Sequence, residues 1–212
     1  MTKSKPRPRR NPAKGIAPHL QPRLDPRVLD ASTRLVAAAA REGGVKLALI
    51  GGLAMQVWGS PRFTGDLDFI GDGEDVGIGH SRPLAIGGVS GTAGGIDVDV
   101  IVPSLSDYEE LYDAALHAAR PVKNVSVPVV PPEYLVALKM LAMRAKDELD
   151  IDYLIRSGAA DPAATRKIVR KHLGADRVDD FESMRQMVAV TPDPYGEPVR
   201  ANPTPRKRAV RR

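Results

Sequence analysis

Apolar and polar positions follow two periods along this chain, and each period predicts a different kind of element. Residues 28–42, VLDASTRLVAAAARE, are rich in helix formers and stop at Gly43-Gly44, which predicts a helix. VKLALI (45–50) is a short apolar run between glycines and predicts a buried strand. LAMQVWG (53–59) suffices for two helical turns before the Ser60-Pro61 break, and DLDFI (66–70) predicts a second strand. Residues 71–95 hold nine glycines and little periodicity, so they read as turns around one strand, RPLAI (82–86). IDVDVIV (96–102) alternates strictly, giving a strand with one acidic and one apolar face.

The second half is helical in pattern. Ser106-Asp107-Tyr108-Glu109 reads as a capping box opening a helix to about Ala119. NVSVPVV (124–130) predicts a short strand. Pro131-Pro132 then start a long helix whose buried side is Leu135, Leu138, Met140, Leu141 and Met143. Further helices are expected over 147–157, from Asp161-Pro162 onward, and over 176–189. The expected architecture is α/β (α+β): a small mixed β-sheet core over 28–157, C-terminal helices over 158–189, and no internal repeat.

Charge changes the picture at the two ends. Residues 1–28 carry eight Lys or Arg against Asp25, and residues 186–212 carry six against Asp193 and Glu197. The whole chain is only +5, so the part between is acidic. The same two ends hold eleven of the nineteen prolines. Such composition cannot bury enough surface to offset ordering entropy, so residues 1–27 and 190–212 are expected to be disordered basic tails. Cysteine is absent, which excludes disulfides, thiolate nucleophiles and cysteine-ligated zinc. No run nears eighteen apolar residues, and the basic N-terminus lacks a signal-peptide apolar region, so a cytoplasmic protein with no membrane partner is expected.

The candidate chemistry lies in two acidic strands. Side chains at i and i+2 of a strand share a face, with Cα atoms roughly 6.5–7 Å apart. Asp66 and Asp68 therefore project together while Leu67 and Phe69 enter the core, and Asp97 and Asp99 repeat the arrangement. Adjacent anions repel unless a cation lies between them, and the simplest remedy is Mg²⁺, which takes carboxylate oxygens at roughly 2.1 Å. If the two strands are neighbours, three or four carboxylates converge, as a two-metal phosphoryl-transfer centre requires. Gly51-Gly52 stands where a strand meets a short helix, so its amides are expected to approach a polyphosphate. GDGEDVG (71–77) and GGVSGTAGG (87–95) lack the ending and setting of phosphate loops and read as turns, and no role is assigned to the four histidines.

A glycine pair followed after thirteen residues by an apolar-flanked Asp-x-Asp, with a third Asp on a later strand, resembles the nucleotidyltransferase fold of the DNA polymerase beta superfamily. More narrowly, GGLAMQVWGSPRFTGDLDF and PPEYLVALKMLAMRAKDELDIDYLI are similar to two blocks of the AbiEii-type toxin nucleotidyltransferases. The resemblance spans roughly residues 45–157. It implies that Asp66, Asp68 and Asp99 are catalytic metal ligands, with Asp97 the alternative to Asp99. It places Gly51, Gly52, Arg62, Thr64 and Lys139 among the nucleotide-binding positions, Arg62 and Thr64 by positioning the loop before Asp66. Asp147 and Asp150 match the family's paired acidic positions, or else pair with Lys146, Arg144 or Arg156 along their helix. The implied activity is Mg²⁺-dependent transfer of a nucleoside monophosphate from an NTP to an acceptor hydroxyl. The implied acceptor is tRNA or other RNA, with an antitoxin protein as a partner. A small-molecule, antibiotic-type acceptor and an inactive nucleic-acid-binding protein of the same fold are the competing readings. Flexible Lys/Arg tails suit RNA through counterion release.

Overall fold

The computed structural model describes residues 26–103 and 108–194. The expected tails fall almost wholly outside these residues. The described part is mixed α/β: a five-stranded mixed sheet and seven helices.

Helix α1 (Pro26–Glu42) opens inside the stretch assigned to the N-terminal tail. Leu29, Val36, Ala37 and Ala40 form its buried stripe, and it leaves through Gly44 at φ 70°. Strand β1 (Leu47–Ile50) is buried along its whole length. It runs directly into helix α2 (Gly51–Val57), and strand β2 (Asp66–Gly71) then returns antiparallel to β1.

The glycine-rich segment after β2 departs from expectation. It holds two strands, β3 (Gly79–Pro83) and β4 (Gly88–Ala93), and the second half of the one expected strand, Leu84–Ile86, lies in the turn between them. Strand β5 (Ile96–Ile101) follows, and the sheet order is β1-β2-β5-β4-β3. Only β2 and β5 are parallel. Strand β4 is held by ladders on both sides rather than by an apolar pattern, which is why side-chain periodicity missed it. Strand β3 forms one edge, with all five residues exposed and a register shift between Gly79 and Arg82.

The expected strand 124–130 is also corrected. Only Val129 bridges, to Leu49 on one side and Arg120 on the other. Pro128 and Pro131 lack N–H groups and cut the ladder short. The segment still covers the outer edge of β1, through Leu49 N to Pro128 O (2.8 Å) and Val130 N to Leu49 O (3.1 Å).

Helix α3 spans Glu109–Ala118; Ser106 and Asp107 of the expected capping box lie outside the described residues. Helix α4 (Pro132–Ala142) starts on a proline as expected and is buried nearly all round, from Leu135 to Met140. It ends at Met143 in the left-handed region, φ 46°. Helix α5 (Ala145–Arg156) begins two residues before the expected start, and α6 (Pro162–Leu173) and α7 (Asp176–Val190) are the last elements among the described residues. Asp161 caps α6 by accepting from the Ala164 N–H at 2.7 Å. Helices α5 and α6 pack on α4, and α7 packs on both. No helix among the described residues is long and apolar enough to cross a membrane.

The core joins both halves: Leu67, Phe69, Val98 and Val100 from the parallel pair meet Met55, Leu111, Leu135 and Met140 in one continuous buried cluster. Phe69 has no exposed surface. Phe69→Ala is expected to lower stability by about 3–5 kcal/mol, whereas Val28→Ala on the exposed side of α1 stays within about 0.5 kcal/mol. Urea-denaturation midpoints of the two variants check both figures.

Candidate functional site

The register of β2 against β5 decides where the carboxylates go. Asp66 stands opposite Asp97, and Asp68 opposite Asp99. The alternation that buries Leu67, Phe69, Val98 and Val100 leaves all four aspartates on the other face. Directly opposed like charges are destabilising, and Asp68 shows the effect. Its pKa is raised from 3.8 to about 6, first by burial and then by the Asp66 charge; Asp99 adds to this, and Lys146 and Lys139 oppose it. Asp66 is turned aside, accepting a short hydrogen bond from the Thr64 hydroxyl. With the side chains so placed, no group of three or more His, Cys, Asp or Glu among the described residues closes on a single ion.

Two clefts flank the aspartates. One, of about 240 Å³, is lined by Gly51, Asp68, Asp99, Tyr112, Lys139 and Arg144, among others. The other, of about 350 Å³, is lined by Asp66, Asp97, Asp99, His80, Arg82, Ser90, Gly91 and Thr92. Asp99 borders both. Asp97 is exposed and belongs to the second cleft alone.

The glycine pair has a role the sequence reading did not contain. Gly51 opens α2 at φ 62°, and a Cβ there would lie 1.8 Å from Asp68 Oδ2. A Cβ on Gly52 would lie 2.3 Å from Thr64 Oγ1 and 3.3 Å from Arg62 Nη2. The missing side chains make room for Asp68 and Thr64, so the turn and the acidic strand are built against each other.

Behind the first cleft lies a buried ionic network. Asp147 and Asp150, one turn apart on α5, are fully buried. Arg62 grips Asp150 in a two-pronged pair, Nε to Oδ1 at 2.8 Å and Nη2 to Oδ2 at 2.9 Å. Lys139 Nζ lies 2.5 Å from Asp150 Oδ2 and 3.1 Å from Asp147 Oδ1. Arg144 closes on Asp147, Nε to Oδ2 at 2.7 Å and Nη2 to Oδ1 at 3.3 Å, while its backbone N–H also donates to Oδ2 at 3.2 Å. Burial raises the Asp147 pKa, but the Arg144 and Lys139 contacts outweigh it and hold the carboxyl below its usual value. The hydrogen bond to Asp147 raises the Arg144 pKa in turn.

Several expected site residues therefore come together, in two groups. Asp66, Asp68, Asp99, Gly51, Gly52 and Thr64 form one, with Asp97 beside them. Arg62, Lys139, Asp147 and Asp150 form the other. Of the helical partners expected for the acidic pair, Arg144 is found at Asp147; Arg156 pairs instead with Asp152 at 2.7 Å, and Lys146 pairs with neither aspartate. Lys139, expected at the nucleotide phosphates, has its ammonium on Asp147 and Asp150. Tyr112, His80, Arg82, Ser90 and Thr92 line the clefts without having been singled out, and Arg144 lines the first cleft having been expected only as a partner of the acidic pair. Only Arg144 carried a sequence signal, since it stands just before the Lys146-Asp147 step of the helical block.

Two outcomes test this arrangement. Lys139→Met leaves two buried carboxylates with one arginine each and is expected to cost about 3–5 kcal/mol, read as a drop in the urea midpoint. Asp68 has a folded pKa above its unfolded value, so the stability it lends is complete below about pH 4 and is lost as pH rises through about 6. In metal-free buffer the loss is on the order of 3 kcal/mol. Urea midpoints between pH 4 and 7.5 should show that slope in the wild type and not in Asp68→Asn.

No protein-family model matches this chain, and no curated protein sequence matches it. Among solved structures it is similar to an antigenic nucleotidyltransferase-like protein from Paracoccidioides brasiliensis, with a TM-score of 0.44 and 16% identity over 77% of this chain and 94% of that one. It is also similar to a protein described as a nucleotidyltransferase from H. pylori, with a TM-score of 0.42 and 12% identity over 78% of this chain and 96% of that one. A tRNA nucleotidyltransferase complexed with a primer tRNA and an incoming ATP analog aligns at a TM-score of 0.27 and 13% identity, over 73% of this chain and 60% of its own.

Proposed function

We propose that this chain is a nucleotidyltransferase that moves a nucleoside monophosphate from an NTP to an acceptor hydroxyl. The observation that carries the reading is the register of β2 and β5, which sets Asp66 beside Asp97 and Asp68 beside Asp99 between two clefts. Crowded hard-oxygen donors, one of them held protonated to about pH 6 by burial and its neighbours, fit a hard divalent cation in donor chemistry. Asp66, Asp68 and Asp99 would hold Mg²⁺, with Asp97 the alternative to Asp99. Bound there, the ion would offset triphosphate charge and lower the pKa of the acceptor hydroxyl. Closing the three carboxylates on it requires side-chain rotation, chiefly of Asp66 away from Thr64.

The remaining work falls to the chain's own groups. Asp99, on the wall common to both clefts, takes the proton of the acceptor hydroxyl in this reading. The acceptor oxygen then bonds to the α-phosphorus as its bond to the leaving pyrophosphate breaks. Gly51 and Gly52 act by fit, their missing side chains admitting Asp68 and Thr64, and Gly51 borders the first cleft, where its backbone can meet phosphate. Arg62 and Thr64 act by position: Arg62 is clamped by Asp150, and Thr64 steadies Asp66. An RNA acceptor is supported by the basic composition of residues 1–27 and 190–212. The AbiEii-type kinship, with its antitoxin partner, is supported by the sequence resemblance alone.

The test is incubation of the full chain with each of four α-labelled NTPs, Mg²⁺ and total RNA. Label is expected to enter an RNA band with the wild type, and Asp66→Asn and Asp68→Asn are each expected to abolish it. No incorporation from any NTP, or incorporation undiminished in both variants, would sink the proposal.

A further inference from the structure

Lys139 is the cation that the family resemblance implies for the nucleotide phosphates, yet its surroundings leave it little freedom. Its side chain is 7% exposed and its ammonium is committed to Asp147 and Asp150, both wholly buried. Swinging it to a ligand would strip a counter-charge from two carboxylates that no water reaches. The phosphates need another partner.

We propose that Arg144 and Lys146, at the corner between α4 and α5, are the cations that bind the triphosphate. The inference rests on the nucleotidyl-transfer reading above and names the groups that receive its substrate. Arg144 lines the same cleft as Asp68 and Asp99. Its side chain is 62% exposed, and Asp147 holds only Nε and Nη2. Nη1 has no protein partner among the described residues. Asp147 therefore fixes the guanidinium plane and leaves Nη1 uncommitted, an ordering that a flexible surface arginine lacks. Planar guanidinium donors suit phosphate oxygens and give stronger bonds than neutral donors.

Lys146 lies two residues further on, exposed and without an ion-pair partner among the described residues. Its charge lowers the Asp68 pKa, so it stands within electrostatic reach of the acidic strands. Arg144 in turn feels the charges of Asp68 and Asp66. The cleft thus has carboxylates on one wall and Arg144, with one guanidinium nitrogen free of Asp147, on another, and Lys146 is exposed two residues beyond. That polarity suits a polyphosphate carrying a divalent ion: the ion toward the strands, the remaining oxygens toward the corner.

Calorimetric titration of the full chain with magnesium tripolyphosphate and with each of the four magnesium NTPs tests the assignment. Lys146→Gln and Arg144→Gln are each expected to weaken binding about tenfold, and Arg144→Lys to weaken it less than Arg144→Gln. Lys146→Gln removes an exposed, unpaired side chain and is expected to keep the wild-type melting temperature, so it decides the matter even if Arg144→Gln destabilises the fold through Asp147. Wild-type affinity in both Gln variants overturns the inference and leaves the nucleotidyl-transfer reading standing. A loss confined to one variant overturns the pair and assigns the site to that cation alone. A wild-type chain that binds neither tripolyphosphate nor any NTP defeats the underlying reading, and the inference with it.

Discussion

The structure depends on two aspartates that water does not reach. Asp147 and Asp150 occupy the stripe of α5 that also carries Ile151 and Leu154, where an amphipathic helix would place apolar side chains. Removing each carboxylate from water costs several kcal/mol, and only good geometry to several cations offsets that. Lys139 from α4, Arg144 at the head of α5 and Arg62 from the loop before β2 supply it. The last of these partners lies 88 residues away in sequence. Helix α5 thus settles against the rest of the molecule only when the Arg62 loop is in place, and that loop carries the Thr64 that holds Asp66. The helical half and the acidic strand are set by one constraint.

On the sheet the opposite principle rules. Nothing neutralises the aspartates of β2 and β5 as fully as the network neutralises Asp147 and Asp150. They face one another because Leu67, Phe69, Val98 and Val100 must be buried, and a two-residue period then leaves no other face for them. Core packing enforces the charge crowding, and the Gly51 turn fits around Asp68 rather than relieving it. One acidic cluster is satisfied by the protein itself; the other keeps its charges crowded, with Asp68 buried beside Asp66 and Asp99. This contrast separates the structural aspartates from the candidate catalytic ones.

Sequence periodicity revealed most of the helices and the strands β1, β2 and β5, because each buries a continuous apolar face. It caught only Arg82-Pro83 of β3 and missed β4, whose ladders are made by backbone in a glycine-rich stretch, and it overran at 124–130, where prolines reduce a strand to bridges through Val129. The two Asp-x-Asp pairs were visible as patterns, but their adjacency was not, since β5 reaches β2 only after the β3–β4 excursion. Lys139 shows the same limit. Its motif could be read, whereas its burial between Asp147 and Asp150 follows from how α4 packs on α5. His80, Arg82, Ser90 and Thr92 had no pattern at all, since a hairpin not seen in the sequence brings them to the second cleft.

The unequal edges of the sheet have a consequence for self-association. Beside β1, the Pro128–Val130 segment already occupies the hydrogen-bonding groups that a foreign strand would seek. Among the described residues the β3 side is open, and a bare row of amides is a template for polymerisation. Its brevity, its irregular register, the charge of Arg82 and the missing N–H of Pro83 all work against a second chain adding there. Because Arg82 also walls the larger cleft, a substitution chosen to probe substrate at that position would alter solubility as well.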